Sequence, residues 1–296
     1  MKSTHETSGW YVAARWVICA AIFLHALGFY IAISTRVGSA WGSVALMEGV
    51  PDETIRYWEK LASVLLLLGG ISLLIRPVLP VALLLSLAVA AEAYGKLVFG
   101  GEPFVEWSMW SAALRYALPL ALLPLLGLLG PLPPTRTRVL IAMWVLRIGI
   151  AIVFAIHGLQ ALGQHPWFID LLIGSSRSML GYRLTESNAI LILKFIGCAD
   201  ILVAAGILAG RWRALLAWLC LWSTVTACSR MTSNGVMSYP EVLLRASHIL
   251  APVAVWCLGV YVDVTRRADA ASAVVIVDDS EHERVTPNMD DAASVT

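Results

Sequence analysis

Long apolar runs broken by short polar ones set the pattern of this chain. Runs able to cross a hydrocarbon layer of about 30 Å, which takes about 20 helical residues, fall near residues 11–34, 58–75, 78–99, 107–129, 140–163, 189–209, 213–233 and 240–262. A backbone amide inside lipid finds no water, so each run is expected to be helical. The pattern thus predicts an all-α integral membrane protein with eight transmembrane helices. Tight breaks stand at Arg76-Pro77, at residues 130–135 with three prolines, and at Gly210-Arg211-Trp212-Arg213,. Longer connectors, residues 36–58 and 164–188, belong to the opposite end of the bundle.

The two halves align at an offset of 132 to 134, which sets Arg15 with Arg147, His25 with His157, Lys60 with Lys194, Lys96 with Arg230 and Pro119 with Pro252, while Arg115 falls opposite His248. Rare polar residues kept in register point to tandem duplication. An even number of spans per unit predicts two parallel four-helix-bundle repeats rather than inverted ones. The expected organisation is an N-terminus at 1–10, membrane units at 11–130 and 136–265, and a disordered tail at 268–296.

Composition agrees: 59% of the 296 residues are hydrophobic and 14% charged, with mean hydropathy +0.77. No water-soluble domain of this length buries that balance in one core, so the first partner is the lipid bilayer. A net charge of +1 gives no reason to expect a nucleic-acid partner,. Arg76, Arg136, Arg138, Arg211 and Arg213 stand in the tight turns, whereas Glu48, Asp52, Glu53, Glu59, Glu102, Glu106, Asp170, Glu186 and Glu241 fall at the other end. This asymmetry predicts a multi-pass protein of the cell inner membrane with both termini cytoplasmic. The five cysteines lie inside apolar runs and match no metal spacing,. No metal site is expected, and P-loop, HExxH, GxSxG and CxxCH motifs are all missing from the sequence,.

Ionisable residues within the runs carry the candidate chemistry, because a charge turned toward lipid costs about 2.5–3.5 kcal/mol. By depth they gather toward the outer leaflet: His25 and His157 in the first and fifth runs, Glu92 and Lys96 in the third, Arg115 in the fourth. Lys194, Arg230, Arg245 and His248 continue the set in the second half, with Asp200 closest to the midplane. Helical spacing groups them into stripes facing an outward-opening polar cavity, with Lys60, Lys96 and Lys194 read as interfacial anchors. Asp200, Glu92 and His157 are the candidate catalytic residues. His25, Arg115, Arg230, Arg245 and His248 are the candidate cofactor-binding ones. Asp200 lies six residues from Lys194, on a different helix face, so its partner must come from another helix or be a proton,. His25 and His157, with Gly28 and Gly158 to give a ring space, form the less favoured arrangement of two axial ligands for haem b.

The second half reads Arg147-x9-His157-Gly158, then Lys194-x2-Gly197-x2-Asp200, leading to Gly206 and Gly210-Arg211-Trp212-Arg213-Ala214. This resembles the DoxX-like family of four-helix membrane proteins over most of residues 140–262. The first half, with Arg15, Phe23, His25 and Gly28, looks like a diverged copy in which Leu66 replaces the acidic residue and Glu92 supplies a carboxylate from the third helix. The resemblance implies a quinone-linked membrane subunit, since relatives include a subunit of thiosulfate:quinone oxidoreductase. It marks Asp200 and the His157-Gly158 pair as residues to test first.

The leading expectation is a multi-pass subunit of a redox assembly, binding quinone or serving an extracytoplasmic electron donor, with a membrane or extracytoplasmic redox protein as partner. The alternative is a noncatalytic structural subunit or assembly factor of a larger membrane complex. A third reading is a small-anion transporter built on Arg115, Arg230 and Arg245.

Overall fold

A computed structural model describes the backbone of residues 2–35, 37–101, 103–132, 135–210 and 213–285, and the side chains of those between 9 and 270. Glu102, Arg211, Trp212 and residues 286–296, all used in the sequence reading, lie outside the described residues. Among the described residues twelve α-helices follow in chain order: α1 (Lys2–Ser34), α2 (Ala40–Met47), α3 (Asp52–Ile75), α4 (Leu79–Phe99), α5 (Ser108–Ser111), α6 (Ala113–Leu122), α7 (Arg136–Leu162), α8 (Pro166–Leu180), α9 (Glu186–Ala209), α10 (Arg213–Asn234), α11 (Tyr239–Leu244) and α12 (Ala246–Val285). Among the described residues the only extended pairing is an isolated bridge between Leu126 and Pro131.

Among the described residues seven helices are long and apolar enough to cross a membrane: Gly9–Ser34 of α1, α3, α4, α7, α9, α10 and Ala246–Ala270 of α12. The chain is a multi-pass all-α membrane protein, but the expected count of eight full-length spans is not met. The run at 107–129 is broken into a 3-10 turn at Val105–Trp107, α5, a break at Ala112, α6 and a second 3-10 turn at Leu123–Leu125. Pro119 inside α6 and Pro124 after it each remove a backbone donor,. Ten residues of α6 rise about 15 Å, half a hydrocarbon layer. Such a broken segment is tolerated because α6 is enclosed by protein, with Leu114, Ala117, Leu118, Ala121 and Leu122 all buried,.

The expectation of two parallel four-helix-bundle repeats is not met either, because the first half has three full-length spans and a broken fourth. A single apolar core runs through both halves and takes in Ile18 of α1, Leu118 of α6, Leu146 of α7 and Leu258 of α12. α1 packs on α12 and α6 on α7, so the central layer joins one half to the other. α3 and α4 flank it on one side, against α1 and α6; α9 and α10 flank it on the other, against α7 and α12. Facing away from this core, Leu65, Leu84, Phe195, Leu202 and Leu221 are exposed, as a lipid-covered belt requires.

Close helix contacts rest on glycine. A Cβ on Gly158 of α7 would stand 2.8 Å from the Gly197 carbonyl oxygen of α9, and one on Gly197 the same distance from the Gly158 oxygen. At Gly28 of α1 it would stand 2.8 Å from Leu243 and the Leu244 amide. The tight-turn end of the bundle is held by polar contacts. The Tyr11 hydroxyl donates to the Leu125 and Leu132 carbonyls, and Arg76 Nε donates to the Leu129 carbonyl at 2.9 Å. Arg147, buried in α7, donates to the carbonyls of Ile207, Leu208 and Gly210, the last turn of α9. At the C-terminus α12 runs on to Val285, so the segment 268–296 read as disordered is helical as far as it is described. Helix propagation from a packed span costs far less than nucleation, and Ala-rich sequence favours it.

Candidate functional site

The longer connectors build one end of the bundle. In the first, Ser39 caps α2 by accepting from the Gly42 amide at 2.9 Å. The free amides at this helix start are taken by carboxylates from two other helices: Ser39 N–H donates to Glu59 Oε1 of α3 at 2.6 Å and Ala40 N–H to Glu92 Oε1 of α4 at 3.0 Å,. In the second, His165 caps α8, its Nδ1 accepting from the Trp167 amide at 3.2 Å. Gly181, with φ of 65°, ends α8 in the left-handed conformation that a glycine adopts without strain,. α8 is strapped to α10 by Ser175, which donates to the Ser229 carbonyl at 3.2 Å and bonds the Thr232 hydroxyl at 2.8 Å.

Beneath these connectors lie three adjoining cavities that share walls. The first, about 340 Å³, is lined by His25, Glu92, Lys96 and Arg115. The second, about 480 Å³, shares Lys96, Ser108, Ser111 and Arg115 with it and adds His157, Arg230, Arg245 and His248. The third, about 400 Å³, keeps those last four and reaches Asp200. All eight candidate residues therefore line one chain of cavities, to which both halves contribute. Lys60 and Lys194 stand outside it, exposed on α3 and α9 as anchors would be.

The third cavity is mostly apolar, walled by Phe154, Leu171, Leu193, Ile196 and Val225. Asp200 lies in it, 7% exposed, and accepts from Trp222 Nε1 of α10 at 3.1 Å. The partner is thus a neutral donor from another helix, and Lys194 takes no part. Ser223 Oγ, next along α10, is buried without a hydrogen bond among the described residues. His157 sits between the edge of Phe168, at a centroid distance of 6.0 Å, and a parallel His248 ring, also at 6.0 Å. His248 Nδ1 bonds the Ser247 hydroxyl at 3.1 Å.

The second cavity holds the cationic centre. Arg230 donates through NH1 to the Thr226 carbonyl and to Ser229 Oγ, and its guanidinium lies 5.7 Å from the Trp167 ring centroid. Arg245 donates to the Glu241 carbonyl at 3.0 Å and lies 3.5 Å from the Glu241 carboxylate. Nε of Arg115 and Nε of Arg230 are buried with no hydrogen-bond partner among the described residues. Arg245 stands at a break between α11 and α12, with φ of −101° and ψ of 8°. The His248 amide there bonds the Arg245 carbonyl instead of the Leu244 carbonyl four residues back. His25 fills the vacancy: its Nδ1 donates to the Leu244 oxygen at 2.9 Å.

His25 and His157 line different cavities, and the ring facing His157 is His248. The space that Gly28 and Gly158 were expected to leave for a haem ring is filled by the backbone of α11 and α9. All five cysteines are free, and no cluster of metal-ligating side chains occurs among the described residues. Sequence reading missed Trp222, Trp167 and Phe168 as parts of the site. Trp222 carried a usable signal, since it lies near the middle of α10 and not at a membrane interface where tryptophan collects. Comparison with known proteins adds nothing to this geometry: no family model, no curated protein and no solved structure matches the chain.

Proposed function

We propose that the chain is a subunit of a membrane redox assembly, resident in the cell inner membrane with both termini cytoplasmic, the broken α5–α6 segment serving as an eighth crossing, that binds a quinone in the cavity walled by α7, α8, α9 and α10. The observation that carries this reading is Asp200, a buried carboxylate with a neutral indole partner, in a cavity of mostly apolar wall that also takes in His157, Arg230, Arg245 and His248. An apolar pocket with a few placed polar groups suits a lipid-soluble carrier. Reduction of a quinone to quinol takes up two electrons and two protons. Asp200 and His157 would exchange the protons, and the electrons would come from the redox centre of a partner protein. The DoxX-like resemblance points the same way. Lipid extraction of gently purified protein should return quinone in stoichiometric amount, and Asp200→Asn should lower both that amount and turnover of the intact assembly. Absence of quinone together with unchanged turnover in Asp200→Asn would reject the reading. An optical spectrum of the same preparation tests haem b.

A noncatalytic structural subunit or assembly factor is the second reading. It is favoured by apolar side chains exposed at the connector end, with Met47 73%, Leu180 76% and Met237 82% exposed, where a larger complex would dock. Affinity capture that finds a stoichiometric redox enzyme with no quinone in this chain supports it over the first.

A further inference from the structure

We infer that the cavity between the quinone compartment and the Glu92 compartment is a binding site for a tetrahedral oxyanion, held by Arg115, Arg230 and Arg245. The three guanidiniums reach it from α6, α10 and the break before α12; the charge of Arg245 acts on both Arg115 and Arg230, and that of Arg115 acts on Arg230. Close approach of three like charges in a membrane interior is costly unless counter-charge is supplied. Glu241, beside Arg245 at 3.5 Å, is the one carboxylate ion-paired with any of the three among the described residues. Asp170 also lines the cavity, but as an exposed residue of α8. Glu92 acts on Arg115 from the adjoining cavity, so three guanidiniums against two partly buried carboxylates leave a net positive charge for a ligand to compensate.

Unused donors point the same way. Arg230 is only 7% exposed, yet its Nε has no partner, and neither has Nε of Arg115. Guanidinium forks match the oxygen spacing of sulfate and phosphate groups and bind them through paired, charge-assisted hydrogen bonds. The Trp167 ring beside Arg230 holds that fork in place without neutralising it, and the Glu241 carbonyl under Arg245 orients a second. Ser108 and Ser111 hydroxyls line the same wall and add neutral donors. The site shares His157, Arg230, Arg245 and His248 with the quinone cavity, but neither Asp200 nor Trp222 lines it, so loss of quinone in Asp200→Asn and loss of oxyanion binding are distinguishable outcomes.

The oxyanion has two sources, a free solute or the phosphate of a lipid headgroup, and one preparation separates them. Full-length protein in dodecyl maltoside, stripped of phospholipid, is titrated with sodium sulfate against sodium chloride at matched ionic strength. Tryptophan fluorescence and thermal unfolding are the readouts. A parallel arm offers phosphatidylglycerol in mixed micelles and counts retained lipid by native mass spectrometry. A saturable response in the first arm identifies a free oxyanion, and lipid retention in the second identifies a headgroup. In the responding arm Arg115→Gln and Arg230→Gln should weaken binding on the order of tenfold or more. Glu241→Gln should tighten it several-fold by releasing Arg245. That gain remains measurable even if the arginine variants fail to fold. No response beyond chloride in both arms overturns the inference. So does a response that none of these substitutions alters.

Discussion

Arg147 shows how a single side chain can be legible in position and opaque in role. The sequence marks it by register with Arg15 and by the motif ahead of His157, but not by what it touches. In the fold it satisfies three carbonyls at the end of α9 that no further helical turn would satisfy,. Arg147→Ala should therefore destabilise the protein by roughly 1.5–3 kcal/mol, the scale for hydrogen bonds to a charged group, read as a lowered thermal midpoint in detergent. Arg147→Lys, with one ammonium in place of a planar fork, should recover only part of the loss. Asp200 was more transparent. Its distance from Lys194 along one helix already required a partner from elsewhere, whereas the identity of Trp222 depends on how α10 is rotated, which no local pattern encodes.

At the level of elements, hydropathy located the spans but missed where they break. The run around Pro119 and Pro124 is as apolar as its neighbours, and a hydropathy window weighs side chains while the fault lies in two missing amide donors. Glycines were misread for a related reason. Their lack of a side chain suggested room for a cofactor, whereas at Gly158 and Gly197 it lets two backbones touch. Gly158→Ala should push α7 and α9 apart, because the obstructing atom is a carbonyl oxygen that cannot rotate away. The expected loss is on the order of 1–3 kcal/mol, with Asp200 one turn from Gly197 carried out of line with Trp222. A drop in thermal midpoint together with lowered quinone content would show it. Alanine at Gly9, where a Cβ would meet nothing within 4 Å, serves as the neutral comparison.

For the whole molecule, the fold class was legible and the assembly of the halves was not. In lipid both the inward and the outward faces of a helix are apolar, so Leu146, fully buried, and Leu202, 72% exposed, look alike in sequence. Pairing α1 with α12 and α6 with α7 makes the halves mutually dependent. Residues 1–135 and 136–296 expressed apart should each aggregate on size exclusion, and co-expressed they should co-purify as one species. Two well-behaved separate halves would contradict the interleaved core. The same interleaving explains why the candidate residues, legible one by one as scarce charges in apolar runs, converge as they do: Arg115 comes from the first half, Arg230 and Arg245 from the second, and neither half owns the chamber between them.

The imidazole of His25 has a reach beyond its own compartment. By occupying the Leu244 oxygen that α12 gives up at its break, it links the longitudinal position of α1 to the angle at which Arg245 is presented. A small slide of the first helix would be transmitted as a swing of that guanidinium, so occupancy of the cationic chamber and the posture of α1 should behave as two readings of one lever.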